Sequence, residues 1–333
     1  MKYIYLLGCV LLFVSCNDEL MQPSNKPTSV FDEMSKRIEE TYSMMELKNL
    51  DWPTVHKQYR ALVDDGISQD SLFTVCSLML FELKDGHCFL SDNSGEKRAV
   101  YDVTQGYYIT PDLTAVLNYV DNYKEWGSFL ITSILENDIG YINYIAFNKS
   151  EDAYWQQVLE YMKSNNVKKI ILDVRSNPGG EPLIAQNLCG YFINKPTKVG
   201  TMFHKSNKGK NDFIGPLTLT STPKQPYLGD IPVILLTNRA SFSSSSYLAG
   251  MMEALPNVIH IGQITGGGGG GFLPYELPNG WVVGITNNYF LDVKGKHIEL
   301  GVTPDILVEN TPEDFEEGRD RMLEAAISYN ANN

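Results

Sequence analysis

The sequence predicts an α/β fold in which a mixed or parallel sheet is covered by helices on both faces. Apolar runs of strand length, such as 168–174 and 233–236, alternate with amphipathic helical patterns from residue 138 onward. This alternation is typical of strands joined by crossover helices. Ligand sites in such folds lie beyond the carboxyl ends of the strands, so functional residues are expected there.

The N-terminal third is predicted to be a helical subdomain over residues 30–90. Apolar residues recur there at helical spacing in three successive patterns, the last of which covers 71–83. This third pattern ends in Lys-Asp-Gly-His, in which Gly86 suits a helix C-terminus and His87 opens an extended segment. A lone histidine is more often a structural residue, but this junction gives His87 the defined position that a catalytic base requires. Residues 91–130 predict only short strands and turns.

Composition excludes several classes of protein. The chain has 333 residues, of which 43% are hydrophobic, and a formal net charge of −13. Binding to a phosphate backbone needs clusters of Lys and Arg, which this chain lacks, so a nucleic-acid partner is not expected. The cysteines show no CxxC spacing, so the sequence indicates neither a disulfide framework nor a zinc site, and no metal or other cofactor. The oligomeric state stays open.

The N-terminus predicts export. Lys2 precedes an apolar run over residues 3–14 that is too short to span a bilayer and reads as a signal peptide, residues 1–15. The residues Leu-Phe-Val-Ser-Cys that end at Cys16 resemble a bacterial lipobox, which implies lipidation of Cys16; Cys9 leaves too little apolar sequence before it. Residues 16–29 then form a flexible tether, and the protein is expected to face the periplasm or the surface of the outer membrane. The alternative is ordinary secretion with loss of Cys16.

The stretch from 231 to 271 carries the strongest chemical signal. An apolar strand pattern at 233–236 is followed by a helical pattern at 247–255. Between them, five of the six positions from Ser241 to Ser246 are serines. The unpaired N–H groups at a helix N-terminus carry partial positive charge, which suits a developing oxyanion. A serine at this position is therefore a candidate nucleophile. The alternative is that the serines simply cap the helix.

Two glycine-rich turns also lie near strand ends. Asn177-Pro178-Gly179-Gly180 follows the strand pattern 168–174, and consecutive glycines let backbone N–H groups approach a bound carbonyl. The six glycines 266–271 are able to cover a substrate channel or bind phosphate. They lack the Lys-Ser/Thr continuation of a Walker loop, which is therefore excluded.

Five motifs together resemble the landmarks of the S41 serine peptidases. In chain order they are LKDGH at 83–87, ILDVRSNPGG at 171–180, the strand–serine–helix block at 233–250, IGQITGGG at 261–268 and GVTPD at 301–305. The resemblance covers residues 30–325 and includes the C-terminal processing proteases, the tricorn core protease and retinoid-binding-protein repeats. It implies a crotonase-like mixed-sheet core over 91–333, flanked by helices. The segment between Leu90 and Ile139 is too short for the PDZ domain that many relatives carry there.

The resemblance implies a nucleophile and shows which of two kinds of base, a lysine or a histidine, this chain retains. The processing-protease pattern Ser-Ala-Ser-Ala-Ser-Glu places the nucleophile at Ser243, although a one-step slip onto Ser244 or Ser245 stays open. The lysine base of those proteases corresponds to Gly268, so a Ser/Lys pair is absent. The tricorn-like branch uses a histidine, which corresponds to His87.

The resemblance also leaves the relay behind the base open. In the tricorn-like branch a serine before the histidine connects it to a glutamate. That serine is Gly86 here, and the nearest glutamate is Glu299, about one residue from the usual spacing. Glu276 is a weaker substitute.

The implied activity is that of a serine endopeptidase that cleaves peptides or protein C-terminal tails through an acyl-enzyme. The oxyanion would be held by the amides of Ser244 and of Gly179 or Gly180, and Glu299 would orient the imidazole. The first alternative is an inactive S41-like lipoprotein that binds peptides or apolar ligands. A crotonase-type acyl-CoA enzyme is the second, and Cys88 as nucleophile is a distant third.

Overall fold

The computed structural model describes residues 24–107, 114–120, 122–149, 152–206 and 211–330. The predicted signal peptide and the lipidation site Cys16 lie outside this part of the chain. None of the helices in the described ranges has the length and apolarity that a membrane span requires.

The predicted helices and strands are present with shifts of a few residues at their ends, and the structure adds further strands and helices. The helices are α1 (Pro27–Thr41), α2 (Trp52–Arg60), α3 (Gln69–Phe81), α4 (Thr114–Leu117), α5 (Asp152–Ser164), α6 (Pro182–Cys189), α7 (Ser244–Met252), α8 (Pro312–Glu316) and α9 (Arg321–Ser328). The strands are β1 (Phe89–Ser91), β2 (Arg98–Val100), β3 (Lys124–Trp126), β4 (Leu130–Leu135), β5 (Ile139–Tyr144), β6 (Lys169–Asp173), β7 (Thr197–Lys205), β8 (Phe213–Ser221), β9 (Val233–Thr237), β10 (Val258–Gly262), β11 (Phe272–Glu276), β12 (Val282–Thr286), β13 (Asn288–Leu291) and β14 (Ile306–Leu307).

The central sheet confirms the predicted α/β architecture. Its strand order is β14-β10-β9-β6-β5-β4-β3, with parallel pairing from β14 to β5 and antiparallel pairing from β5 to β3. Alternate side chains pack on opposite faces, since period-two strands point successive residues to opposite sides. Ile142 and Leu172 pack with α5, α6 and α7, whereas Tyr141 and Ile171 pack with α9. The sheet is therefore buried between two helical layers.

The N-terminal helices share a core with a second sheet. This four-stranded sheet has the order β11-β12-β1-β2. Phe31, Trp52 and Leu72 from the three helices pack with Val283 and Ile285 of β12. Helix α1 begins at Pro27, so helical structure starts three residues before the predicted boundary. The segment that follows α3 reaches the residues after the carboxyl end of β9, since His87 lies 3.0 Å from Ser243.

A long hairpin lies outside what the sequence analysis predicts. Strands β7 and β8 pair antiparallel, and β13 joins them in a three-stranded sheet of order β13-β7-β8. Most of β8 is exposed on both faces, so it lacks the alternation of apolar and polar residues that marks a half-buried strand.

Candidate active site

Ser243 stands at a strained turn between strand and helix. Strand β9 ends at Thr237, and Ser243 is the N-cap of α7 with φ 55° and ψ −119°. A positive φ at a residue other than glycine costs on the order of 1–3 kcal/mol and persists only where the surrounding structure enforces it. Gly179 packs directly against this turn, and a Cβ at 179 would lie 2.7 Å from the Ser243 Cβ. The turn leaves the Ser243 side chain partly exposed.

His87 lies within hydrogen-bond distance of this serine. Its Nε2 is 3.0 Å from the Ser243 Oγ, although 156 positions separate the two residues. The imidazole packs against the Phe242 ring, with 4.7 Å between the ring centroids. The structure therefore brings together the two residues that the sequence assigned as base and nucleophile, which is the arrangement that activates a serine hydroxyl.

The surroundings of His87 favour its neutral form. Burial lowers the pKa of the imidazole below its usual 6.5, Lys48 adds to this, and Asp85 opposes it in part. Burial disfavours a charged group because the low-dielectric interior solvates it poorly. A neutral imidazole at neutral pH can accept the proton of the serine hydroxyl.

Asp85 is a buried charge that the sequence analysis did not assign to the site. Its Oδ1 accepts the His87 backbone N–H at 2.8 Å, and its Oδ2 accepts the Thr286 hydroxyl at 2.9 Å. Although burial acts to raise it, the pKa of Asp85 is lowered, because Lys48, His87 and these hydrogen bonds favour the carboxylate. The signal in the sequence that could have identified Asp85 is its position in the Lys-Asp-Gly-His motif, two residues before His87.

Glu299 is buried beside the site without a hydrogen bond to His87. Its Oε1 accepts from Lys48 Nζ at 2.5 Å, and its Oε2 accepts the Gly269 N–H at 2.8 Å. Burial and the nearby Asp85 raise the pKa of Glu299 to about 7, against the opposing effect of Lys48. Among the described residues, the buried Nδ1 of His87 has no hydrogen-bond partner. The relay that the resemblance implies is therefore not formed by direct contacts.

Amide groups around Ser243 differ in their availability. The Gly179 N–H donates to Asn177 Oδ1 at 2.8 Å, and the Ser243 N–H donates to the Gly267 carbonyl at 2.9 Å. The amides of Ser244 and Gly180 donate to no protein acceptor within the described ranges. Ser244 also opens α7, where the helix dipole favours negative charge. The amides of Ser244 and Gly180 are therefore available to receive an oxyanion.

The other serines of the cluster are held by the protein itself. Ser244, Ser245 and Ser246 are fully buried, and their hydroxyls bond to Gly180 O, Asn177 O and Thr265 Oγ1 respectively. Ser243 alone in the cluster faces an imidazole in the described structure. The geometry therefore favours Ser243 over the one-step slips.

Two further candidates lie in unfavourable surroundings. The thiol of Cys88 is buried next to Thr286, and burial raises its pKa well above 9, which disfavours the thiolate needed for attack. Glu276 is exposed in β11, and within the described ranges it forms no hydrogen bond or ion pair with His87.

The Phe242 ring crowds Gly86 and Gly268, the two glycines that the resemblance aligns with a relay serine and a lysine base. A Cβ at Gly86 would lie 3.0 Å from the Phe242 ring and from a Val103 methyl. A Cβ at Gly268 would lie 2.6 Å from the same ring and 3.0 Å from His87 Cε1, at a φ of +76°. A side chain at 268 would therefore meet both rings in a strained backbone conformation, and one at 86 would require Phe242 or Val103 to move by a few tenths of an ångström. A cavity of about 450 Å³ adjoins this cluster, with Lys48, Glu299 and Arg239 in its wall.

Fold and site together define an α/β protein with a serine–histidine pair at the carboxyl end of its central sheet. The family model described as "Peptidase family S41" matches residues 138–308, and the model described as "Tricorn protease C1 domain" matches residues 23–81. The chain therefore belongs to peptidase family S41, which confirms the resemblance seen in the motifs.

Individual relatives agree with this assignment. A carboxy-terminal-processing protease of Bartonella bacilliformis is 28% identical over 196 residues, which are 57% of this chain and 43% of that protein. The chain thus spans less than half the length of this curated relative. A solved structure of a putative peptidase from Parabacteroides merdae is 33% identical, with a TM-score of 0.84 over 91% of this chain and 96% of that one. Mature CPAF shares the fold, with a TM-score of 0.68 at 11% identity, over 91% of this chain and 95% of that chain.

Proposed function

We propose that this protein is a serine endopeptidase that works through a Ser243–His87 pair. The observation that carries the proposal is the distance of 3.0 Å between His87 Nε2 and Ser243 Oγ. The strained turn at Ser243, the neutral imidazole and the two free amides support the same chemistry. Crowding at Gly268 supports a histidine base, because a lysine there would collide with Phe242 and the imidazole.

The proposed reaction follows the usual course of acyl transfer. His87 Nε2 takes the proton of Ser243 Oγ–H while the oxygen attacks a peptide carbonyl carbon. The resulting oxyanion lies between the amides of Ser244 and Gly180. The imidazolium gives its proton to the leaving nitrogen as the C–N bond breaks, and water then hydrolyses the acyl-enzyme by the same route. The buried carboxylate of Asp85 stabilises the transient imidazolium through its charge.

The proposed substrates are peptides or the C-terminal tails of proteins. The relatives named as carboxy-terminal-processing proteases favour this class. The competing proposal is a protein that binds peptides or apolar ligands without cleaving them, and the unpartnered Nδ1 of His87 is the observation in its favour.

Labelling with a fluorophosphonate probe separates the two proposals. A peptidase is expected to form an adduct at Ser243, located by peptide mass spectrometry, because the probe requires an activated serine. The His87→Ala variant should lose this labelling. An unlabelled wild-type protein that still binds peptides would favour the binding protein and contradict the peptidase.

Activity is expected to persist below pH 6.5. Because the pKa of His87 is lowered, the base stays deprotonated to a lower pH, so the acid limb of kcat/KM should fall below 6.5. Asp85→Asn removes an anion that raises this pKa, so its acid limb should move to still lower pH. Glu324→Gln, which removes an exposed carboxylate on α9, serves as the control and should leave the limb in place. An Asp85→Asn limb that moves upward would contradict this assignment.

We also propose that Cys16 is lipidated and anchors the protein to a membrane. The proposal rests on the lipobox-like residues before Cys16 and the apolar run over 3–14. Radiolabelled or alkyne-tagged palmitate should label the wild-type protein in a bacterial host, and Cys16→Ser should abolish both labelling and membrane association. Equal labelling of the Cys9→Ser and wild-type proteins would place the anchor at Cys16. Unlabelled wild-type protein released to the medium would support ordinary secretion instead.

A further inference from the structure

We propose that Lys48 is a positioning residue that holds the base and the nucleophile at their working distance. It lies between α1 and α2, in the helical part of the chain, and neither the motifs nor the fold assign it a role. The inference rests on the proposed Ser243–His87 chemistry. The buried ammonium group of Lys48 connects the segment before His87 to the glycine loop, residues 266–271, through Glu299.

The first connection runs from Lys48 to the segment that carries the base. Its Nζ donates to the Leu83 carbonyl at 3.0 Å and to the Lys84 carbonyl at 3.1 Å. These carbonyls follow α3, where a helix leaves acceptors without partners of its own. His87 is three residues further on. Lys48 therefore holds the backbone of residues 83 and 84 in place, just before His87.

The second connection runs from Lys48 to the glycine loop. Its third hydrogen bond goes to Glu299 Oε1, so all three donors of the ammonium group are used. Glu299 Oε2 accepts the Gly269 N–H at 2.8 Å, and two residues earlier the Gly267 carbonyl accepts the Ser243 N–H at 2.9 Å. A displacement of Glu299 would therefore displace the glycine loop, and with it the Gly267 carbonyl that holds the Ser243 backbone.

Charge and burial show why this connection is rigid. The Lys48 side chain is 8% exposed and that of Glu299 is 3% exposed. Burial acts to lower the pKa of Lys48, but the nearby Asp85 and Glu299 outweigh it and hold the pKa above its usual value. Lys48 therefore carries its charge beside these two carboxylates. Loss of one partner of such a buried pair leaves an uncompensated charge, so the remaining groups must rearrange.

The test compares Lys48→Met with Lys48→Arg. We expect Lys48→Met to lower kcat about 10²-fold with little change in KM, since a displacement of about 1 Å between reacting groups costs that much. The rate of fluorophosphonate labelling at Ser243 should fall in parallel. Lys48→Arg keeps the charge and the donors and should restore most of both rates. Lys168→Met removes an exposed lysine that pairs with Asp138 at 2.7 Å, and this matched control should behave like the wild type.

A second readout distinguishes positioning from a general loss of stability. The positive charge of Lys48 lowers the pKa of His87, so Lys48→Met should raise the midpoint of the His87 titration measured by NMR. A loss of stability alone would leave that midpoint unchanged. A crystal structure of Lys48→Met should show the Nε2–Oγ distance lengthened from 3.0 Å.

The outcomes separate this inference from the proposed function. Labelling of Lys48→Met at the wild-type rate, with an unchanged His87 midpoint, would overturn the role of Lys48 and leave the peptidase intact. If wild-type Ser243 does not react, the proposed peptidase fails, while the His87 titration and the Nε2–Oγ distance still decide the role of Lys48. If Lys48→Met does not fold, the double variant Lys48→Met/Glu299→Gln removes both buried charges. That variant is expected to fold and to react slowly, and reaction at the wild-type rate would overturn the inference.

Discussion

Ser243→Ala is expected to lower kcat on the order of 10⁶-fold, the scale on which the loss of the serine or the histidine abolishes acyl transfer in serine proteases. The reason is that no other hydroxyl of the described serine cluster faces His87, so no neighbour can replace the nucleophile. His87→Ala should cost about as much, and the double variant little more, because the two residues act as one unit. The measurement is single-turnover cleavage of a peptide, followed by mass spectrometry.

The control for this prediction is Ser245→Ala. The Ser245 hydroxyl bonds to the Asn177 carbonyl and does not reach the imidazole. This variant is expected to keep its labelling at Ser243, although it removes a buried hydrogen bond and should be less stable. Labelling that moves to another serine, or turnover that survives Ser243→Ala, would show that the nucleophile is assigned to the wrong position.

Arg175→Met is expected to destabilise the fold by about 3–5 kcal/mol, the cost of breaking a buried ion pair from one side. The Arg175 side chain is 8% exposed, and its guanidinium bonds Asp173 at the end of β6 and Asp320 at the start of α9. Loss of the guanidinium would leave two buried carboxylates close together without a cation. Urea denaturation should show a lower midpoint with an unchanged m-value.

The matched control for Arg175 is an arginine in an exposed pair. Arg319 bonds Glu324 at 3.0 Å, and its side chain is 49% exposed. Such surface pairs contribute about 0–1 kcal/mol, so Arg319→Met should shift the midpoint little. Equal shifts for the two arginines would contradict the importance of the buried cluster. Because Arg175 directly precedes the turn with Gly179 and Gly180, its loss should also weaken the oxyanion site.

The sequence predicts the parallel strands β5, β6, β9 and β10 of the central sheet, and the serine and histidine that it singles out lie within hydrogen-bond distance. Strand runs such as 168–174 are long, apolar and bounded by turn residues, so local pattern decides them. The serine cluster after a strand is a local signal that marks Ser243 without knowledge of the fold. The predicted helix end at Gly86 is wrong, because α3 ends at Phe81 with Glu82 as its C-cap, although His87 still opens the extended segment that leads into β1. The hairpin of β7 and β8 carries no such pattern because most of β8 is exposed on both faces.

The rest of the site depends on contacts that no local pattern encodes. Lys48 reaches Glu299 across 251 positions, and a lone lysine in a helical region normally lies in solvent. The sequence assigns Glu299 to the base only from its spacing before the GVTPD motif at 301–305. Which groups its two oxygens bind is decided only when the helical part packs on the second sheet. Position 86 holds glycine where the resemblance expects a relay serine. No local pattern explains this, because the Phe242 ring that crowds Gly86 comes from another part of the chain.

That crowding constrains the order in which active-site chemistry can change. Gly86 and Gly268 share one neighbour, Phe242, at a position where the processing-protease pattern has alanine. A serine at 86 would press against the phenyl ring, which a smaller residue at 242 would relieve, but a lysine at 268 would also be strained by the φ of +76° whatever residue occupies 242. A small residue at 242 is therefore expected to relieve the crowding at 86, whereas position 268 also needs a different backbone conformation before it can accept a side chain.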